Sequence, residues 1–236
     1  MKRYLNLFLI TLICLGIILE ARAAGEPDAA ALELAKTVLK AHGGEKLAQV
    51  KSLVLRGSVD VSAPNAPQSI PASFAMVYAG EKYRFDLQSL IVRFSQTSDG
   101  EVTNSSMPGV SLPPLTRVGL AVLPKIEEKG YVVSPLPEKL KKKKGFRVTS
   151  PEGYYTDFII DVKTSMVKSY ESSYEVNGRE ISTGVTISKY RDINGAMINE
   201  KFSQRLELGQ LTAFADYKAK DIIVNSAIED GVFNLK

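Results

Sequence analysis

The chain has 236 residues, of which 44% are hydrophobic and 24% are charged, and its formal net charge is +4. It contains one His, one Cys and no Trp, which excludes a His-rich metal centre and a structural zinc site built from paired cysteines. Any catalytic pair or triad that needs a histidine would have to use His42. The composition is that of a globular protein and argues against an enzyme, so we expect no catalytic residues, no metal and no cofactor.

Residues 1–23 have the pattern of a secretory signal peptide. Lys2 and Arg3 form a basic start, residues 5–19 are almost wholly apolar, and residues 21–23 supply the small-x-small pattern that precedes cleavage. The apolar stretch is shorter than the roughly 20 residues that a membrane-spanning helix needs. We therefore predict cleavage near Ala23 and export to the periplasm, with retention of the segment as an anchor as the alternative.

The remaining residues, 24–236, are predicted to form a single domain. Cys14 lies inside the removed apolar run, so the mature chain has no cysteine. Its formal net charge falls from +4 to +2, because three cations and one carboxylate leave with the first 23 residues. A nearly neutral chain gives no reason to expect nucleic-acid binding, and we predict a monomer.

The mature chain begins with a predicted α-helix over residues 28–41. Asp28 is a suitable N-cap, and Gly43 and Gly44 suit the left-handed conformation that often ends a helix. Apolar side chains recur at 3.6-residue spacing along one face. That face comprises Leu32, Ala35, Val38, Leu39 and His42.

From residue 53 the apolar period changes from 3.6 to 2, which indicates β-strands. The alternation predicts strands at 53–61, 70–78, 83–88 and 92–94 before the centre of the chain. After residue 144 it predicts seven more, at 145–150, 154–161, 166–176, 181–191, 199–208, 211–218 and 220–225. Short turns and the absence of a crossover pattern favour one antiparallel sheet of about eleven strands in a mainly β protein with short helices.

The centre of the chain lacks this alternation. Residues 104–114 are rich in Pro, Ser and Gly and predict a loop, and residues 115–126 predict a short helix whose end is complicated by Pro124. A long irregular segment inside a compact domain is often a lid or a binding loop. We therefore interpret residues 104–130 as a movable lid over an apolar site.

Six short segments from the first helix to the C-terminus match the pattern of one known family. They are residues 41–44, 50–57, 98–100, 158–164, 190–195 with Ile198, and 228–233. Through them the chain resembles the LolA/LolB-like outer-membrane lipoprotein-sorting family of periplasmic carriers, which serve outer-membrane biogenesis. The resemblance implies an incomplete antiparallel β-barrel plugged by helices. It also implies that the acyl chain of a lipid or lipoprotein lies between the concave sheet and those helices.

One turn departs from the lipoprotein-carrying members of that family. Those members have a basic Arg-Pro turn after the second strand, and its Arg holds the helical lid closed. Here residues 79–82 read Ala-Gly-Glu-Lys, so Lys82 is the nearest cation. A lysine ammonium cannot reproduce the planar fork of a guanidinium. The difference argues against the specific lipoprotein shuttle and leaves general lipid binding.

Apolar residues at inward-facing positions form the candidate ligand-binding set. Each of them could equally be ordinary core, and the prediction of a cavity depends on the sheet being too long for two short helices to cover. The set comprises Leu55, Phe74, Met76, Tyr78, Phe85, Phe94, Leu115, Val118, Val122, Tyr170, Tyr174, Phe202 and Leu206.

A run of five lysines is the strongest local charge feature. Such a run could steer the protein to an anionic membrane surface or to an acidic envelope protein, although a solvated loop is the simpler interpretation. Few aromatic residues interleave with it, so single-stranded nucleic acid is not indicated. The lysines are Lys139, Lys141, Lys142, Lys143 and Lys144.

Four functional hypotheses remain open from the sequence, and the last of them is a purely structural envelope protein. The first is a carrier of a lipid or lipoprotein acyl chain, and the second is a periplasmic sensor or protein-interaction module on the same fold. The third is a hydrolase that uses His42, although no Ser or Asp lies at a known motif spacing from it and a structural histidine at a helix end is the simpler interpretation. The carboxylates Asp157, Asp161, Glu171 and Glu175 fall at strand and turn positions and show no catalytic pairing.

Overall fold

A computed structural model describes residues 28–64, 68–108, 112–176, 178–208 and 211–235. The predicted signal peptide lies outside the described residues. Among the described helices, none has the length and apolar character needed to cross a membrane.

The predicted N-terminal helix is confirmed as α1, Ala29–Ala41. Its N-cap is Asp28, whose carboxylate accepts a hydrogen bond from the Ala31 amide at 2.8 Å. The helix ends in Gly43 and Gly44, which both have positive φ. Glycine is required at the first of these, because a Cβ there would lie 2.1 Å from the carbonyl oxygen of Gly195. A single turn, α2 (Glu45–Ala48), leads into the sheet.

The rest of the described chain is dominated by one antiparallel sheet of twelve strands, which does not close into a barrel. Its order is β5-β4-β3-β2-β1-β12-β11-β10-β9-β8-β7-β6. The strands are β1 (Ser52–Ser62), β2 (Ile70–Ala79), β3 (Lys82–Gln88), β4 (Arg93–Ser98), β5 (Thr103–Ser105), β6 (Val132–Pro135), β7 (Gly145–Thr149), β8 (Tyr155–Ile160), β9 (Val167–Val176), β10 (Arg179–Ile193), β11 (Ala196–Leu208) and β12 (Leu211–Val224).

The mainly β, antiparallel and incompletely closed fold is as predicted, but the individual strands differ from the prediction in two ways. The two strands predicted at 211–218 and 220–225 form one continuous strand, β12. The edge strands β5 and β6 were not predicted, because three or four residues are too few to show an alternating pattern. Short edges limit pairing with other chains, and Pro135 at the end of β6 has no amide hydrogen to offer.

The predicted helix over residues 115–126 is also shorter than expected. The structure has a 3-10 helix, Gly119–Lys125, that contains Pro124. Gly119 has a φ of +66°, a left-handed conformation that cannot continue a right-handed helix from residue 115. Two further 3-10 turns lie at Glu138–Leu140 and Asp230–Phe233.

The sheet buries apolar side chains on both faces. On the inner face, residues such as Leu55 and Met76 pack in one large core with α1 and with residues 112–130, which we call the central segment. On the outer face, Val54 and Val77 pack against Phe233 from the C-terminal segment. The central segment and the helices therefore cover only the inner face, where a cavity could remain.

Candidate functional site

A cavity of about 630 Å³ lies between the inner face of the sheet and its cover. Its walls come from β1, β2, β9, β10 and β11, and its cover consists of α2 and residues 113–128. The cavity reaches the surface where exposed residues of α2, of the segment before β1 and of the β2–β3 turn meet the central segment. A volume of several hundred Å³ behind such a mouth is within the usual range for small-molecule sites.

Of the thirteen predicted ligand-binding residues, the structure places seven on the cavity and six elsewhere in the inner core. The seven on the cavity are Leu55, Met76, Tyr78, Leu115, Val118, Tyr170 and Phe202. The other six, Phe74, Phe85, Phe94, Val122, Tyr174 and Leu206, are buried and do not line it.

Further apolar residues on the wall did not stand out in the sequence. Leu53, Val185 and Ile198 fit the strand alternation, but nothing in the pattern separates cavity from core. Leu47 and Leu120 lie on short helical segments whose facing direction the sequence does not indicate. The apolar wall residues absent from the predicted set include Leu47, Leu53, Leu120, Val185, Met197 and Ile198.

Polar side chains also face the cavity, and the apolar periodicity of the sequence does not reveal them. The Gln204 side-chain amide donates to the Thr183 hydroxyl at 3.1 Å, and that hydroxyl donates to the Arg205 carbonyl oxygen at 2.7 Å. Both side chains occupy inward positions of their strands, and both are buried. The interior is therefore apolar on most sides and has a local polar wall.

Two tyrosine hydroxyls lie in the same interior. The Tyr78 hydroxyl donates to the Met76 sulfur at 3.6 Å, and the Tyr170 side chain has no hydrogen-bond partner among the described residues. Burial raises the pKa of both phenols far above the ordinary value, so both are neutral hydrogen-bond donors at physiological pH.

The central segment is fastened over the cavity by contacts at both ends. At one end the Gly119 amide donates to the Thr156 hydroxyl at 3.0 Å, and the Arg117 guanidinium donates to the Gly100 carbonyl oxygen at 2.6 Å. At the other end Lys125 forms an ion pair with Glu81 in the β2–β3 turn. The segment is thus held to the β2–β3 and β4–β5 turns on one half of the sheet and to Thr156 of β8 on the other half.

In the β2–β3 turn the group that holds the cover is a carboxylate, Glu81, and not the nearest cation of the turn, Lys82. Lys82 turns away from the cover and pairs with Asp230 of the C-terminal segment at 2.8 Å. The cover is held instead by Glu81, with the cation supplied by Lys125 from the cover itself. The sequence could not show this, because the partner of each charge depends on the packing of distant segments.

His42 borders the cavity, but its side chain has no accessible surface. Its Nδ1 lies 2.9 Å from the Val38 carbonyl oxygen, and its Nε2 lies 3.4 Å from the Val167 amide, which donates to it. Nδ1 is therefore the protonated nitrogen, and burial lowers the pKa of the ring. A histidine so occupied serves as a structural link.

The other charged candidates lie on the surface or in structural pairs. All five lysines of the run are exposed, and Lys141 pairs with Glu138. Asp157 is buried in a two-bond contact with Arg147, at 2.7 and 2.9 Å. The Asp161 carboxylate accepts hydrogen bonds from the amides of Thr164 and Lys163 in its own turn, and these bonds lower its pKa.

The remaining two candidate carboxylates, Glu171 and Glu175, form a surface pair or lie exposed. Glu171 pairs with Arg205 at 3.3 Å, and Glu175 is exposed. Among the described residues, no three His, Cys, Asp or Glu side chains lie close enough together to hold a metal ion.

Solved structures with the same architecture place this chain in a known fold. A LolA superfamily protein from Nitrosomonas europaea aligns with a TM-score of 0.52 at 13% identity, covering 87% of this chain and 97% of its own. A DUF1329 family protein from Desulfovibrio piger aligns with a TM-score of 0.50 at 10% identity, over 89% and 98%. An outer membrane lipoprotein-sorting protein domain from Vibrio parahaemolyticus has a TM-score of 0.47 at 11% identity, over 87% and 96%.

The first two of these structures define the class as the LolA-like fold, and the fold implied by the sequence resemblance is therefore confirmed. The chain matches no protein-family model, and no curated protein is significantly similar to it. At 10% and 13% identity the similarity concerns the architecture and does not determine the activity.

Proposed function

We propose that this protein is a carrier that binds the acyl chain of a lipid or lipoprotein in its cavity and has no enzymatic activity. The observation that carries the proposal is the cavity of about 630 Å³, whose wall is mostly apolar and whose cover is fastened by a few polar contacts. Burial of hydrocarbon contributes roughly 0.8 kcal/mol per CH₂ group, so a long chain supplies enough free energy without any charged contact.

The proposal includes export and release of residues 1–23, because a carrier of this kind would work between two membranes. The pattern of Lys2, Arg3 and the apolar run supports it. Mass spectrometry of the protein purified from a bacterial periplasm tests this point. We expect a mature chain that begins at or next to residue 24, whereas an intact N-terminus in the membrane fraction would contradict it.

The test of lipid binding is native mass spectrometry of the mature protein from a membrane-containing host, followed by lipid extraction. We expect a reproducible mass excess, and we expect Val118→Glu to abolish it because Val118 is buried on the cavity wall. Val162→Glu is the matched control, since Val162 is 66% exposed on the surface. A lipid-free wild-type protein would contradict the carrier function.

The lysine run supports a second part of the proposal, which is attraction to an anionic membrane surface. Five exposed cations in one loop contribute about 1 kcal/mol each near such a surface, and the contribution is screened by salt. Sedimentation with vesicles containing phosphatidylglycerol measures it. We expect binding that weakens with salt and with replacement of Lys142, Lys143 and Lys144 by Gln; binding unaffected by both changes would overturn this role.

A protein-interaction module on the same fold is the second candidate function, and one surface observation favours it. Leu90 and Ile91 in the β3–β4 turn are 104% and 74% exposed, and apolar side chains this exposed are common in recognition sites. Crosslinking from this turn in cells would distinguish the two functions. A single envelope protein captured by the turn, together with an empty cavity, would favour the module.

A further inference from the structure

The row of residues Tyr170, Val185 and Gln204 distinguishes this cavity from a purely apolar one. The three are Cα partners across β9, β10 and β11, so their side chains share the inner face of the sheet, and all three line the cavity. Neighbouring strands lie about 4.8 Å apart, so the Cα atoms of Tyr170 and Gln204 are about 10 Å apart with Val185 between them, and both residues line the same cavity.

These polar groups have hydrogen-bonding capacity that the described residues do not use. Gln204 spends one N–H on Thr183, and its second N–H and its carbonyl oxygen have no partner among the described residues. The Tyr170 hydroxyl also has no hydrogen-bond partner among the residues that the structure describes, and Tyr170 lines the same cavity. Neither group is among the fully buried unpaired side-chain atoms of the described residues, so both remain accessible to water or a ligand in the cavity.

The cover lies directly over one end of this row. A Cβ on Gly119 would lie 2.8 Å from Cε2, Cζ and the hydroxyl oxygen of Tyr170, so the backbone of the cover packs against the phenol. Gly119 is itself held by the hydrogen bond from its amide to the Thr156 hydroxyl. The phenol therefore borders the covered end of the cavity, a space bounded by the sheet and the cover.

The charges around this space exclude an anionic ligand group there. The cations on the cavity wall, Lys51 and Lys125, belong to the mouth, and Lys125 is already paired with Glu81. The nearest strand cation, Arg205, pairs with Glu171 and Glu207. A buried carboxylate without a cation costs far more free energy than a neutral carbonyl, which needs only hydrogen-bond donors.

From this geometry we infer that Tyr170 and Gln204 form a carbonyl-binding site that selects acyl chains carrying an uncharged ester over free fatty acid anions and plain hydrocarbon chains. The inference rests on the proposed carrier function and names its ligand class. The phenol hydroxyl and the amide N–H donate to the ester carbonyl oxygen, while the chain lies against the apolar wall.

The test uses three ligands with the same sixteen-carbon chain: methyl palmitate, hexadecane and palmitate at pH 8. Each is titrated against the mature protein with Nile red as the displaced probe. Two neutral hydrogen bonds contribute about 1.4 kcal/mol or more together, so we expect the ester to compete about tenfold better than hexadecane. We expect palmitate to compete more weakly than the ester.

Three variants locate the effect. Tyr170→Phe and Gln204→Leu should each lower the affinity for the ester without lowering that for hexadecane. Tyr155→Phe is the matched control, because Tyr155 lies away from the cavity wall and stacks on Arg147 at 3.7 Å. An unchanged ester preference in both cavity variants would overturn the inference.

A spectroscopic measurement needs no variant. The carbonyl stretch of methyl palmitate labelled with ¹³C at the carbonyl should shift to lower frequency in the wild-type complex, and an unshifted band would overturn the site. Equal competition by the ester and hexadecane, or preference for palmitate, would also overturn it while leaving the carrier function in place. Failure of Nile red and all three ligands to bind would contradict the carrier function itself.

Discussion

His42 links three segments of the chain from a fully buried position. Nδ1–H donates to the Val38 carbonyl oxygen in α1, and Nε2 accepts from the Val167 amide in β9. The hydroxyl of Tyr190 lies 3.3 Å from Nε2 and donates to the Val167 carbonyl oxygen at 2.8 Å. A side chain of another shape would leave part of this network unsatisfied.

We expect His42→Gln to lower the free energy of unfolding by about 1–3 kcal/mol at pH 7.5, because buried groups lose their hydrogen-bond partners. Burial lowers the pKa of His42, so the unfolded chain binds a proton at pH values where the native protein does not. The stability that His42 contributes therefore falls as the pH drops below the unfolded value of about 6.5.

Urea denaturation of both proteins at pH 7.5 and pH 5.5 measures this contribution. The stability difference between wild type and His42→Gln should be smaller at pH 5.5. A difference that stays constant or grows would contradict a lowered pKa of His42 in the native protein. The variant also bears on the hydrolase hypothesis, since any hydrolytic activity that depends on His42 would disappear with it.

At the residue scale, the sequence predicted the inward face better than the cavity. Leu55 and Phe74 share the same alternation, yet Leu55 lines the cavity and Phe74 packs edge-on against Tyr217 in the core. Whether an inward side chain meets a neighbour or empty space depends on where the cover crosses the sheet. Thr183 and Gln204 were missed for a different reason, since polar residues at inward positions interrupt the apolar pattern.

Among the elements, the central segment is the one whose position depends on a single glycine. Gly119→Ala introduces a Cβ at a positive φ and 2.8 Å from the Tyr170 ring. We expect the cover to detach, and we expect the free energy of unfolding to fall by about 1–3 kcal/mol. Hydrogen exchange of the amides of residues 119–126, followed by mass spectrometry, should become faster.

Gly153→Ala is the control for backbone strain alone. Gly153 has a φ of +85°, and a Cβ there would meet no heavy atom within 4 Å. We expect this variant to lose stability without faster exchange in residues 119–126. Equal exchange in the two variants would mean that the contact between Gly119 and Tyr170 does not hold the cover.

The ion pair between Glu81 and Lys125 makes a separate prediction about the cover. Both side chains retain some solvent exposure, 51% and 18%, so the pair contributes about 0.2–1 kcal/mol. We expect Glu81→Lys to speed opening of the cover up to about fivefold, as measured by hydrogen exchange at low salt. The double exchange Glu81→Lys with Lys125→Glu should restore the slow rate, and failure to restore it would show that the charges do not interact.

The elements themselves were predictable where the local signal was long. The helix α1 has a cap, a periodic face and two terminal glycines, and its predicted bounds agree closely with Ala29–Ala41. Strands β5 and β6 have no such signal, because their pairing partners β4 and β7 define them. Between the predicted strands 211–218 and 220–225, the chain simply continues as β12, since its long partner β1 pairs along both parts.

For the whole molecule, the sheet separates two apolar regions that serve different purposes. The inner region contains the cavity and the large core, while the outer region is small and is built by the C-terminal segment. That segment is held by Phe233, which is 5% exposed, by the Lys82–Asp230 pair and by Arg84, which donates to the Val232 carbonyl oxygen at 3.0 Å. Stability and ligand binding should therefore respond differently to changes on the two faces.

Phe233→Ala and Phe202→Ala test this separation with the same chemical change. Both side chains are buried, so each truncation should lower the free energy of unfolding by about 3–5 kcal/mol in urea denaturation. Phe202 lines the cavity and stacks on Tyr217 at a centroid distance of 4.6 Å, so its loss should also change the affinity for Nile red. Phe233 lies on the opposite face, and its truncation should leave that affinity unchanged as long as the protein is folded. If both variants alter Nile red binding equally, the two faces of the sheet are coupled, and the cavity depends on the C-terminal segment as much as on its own wall.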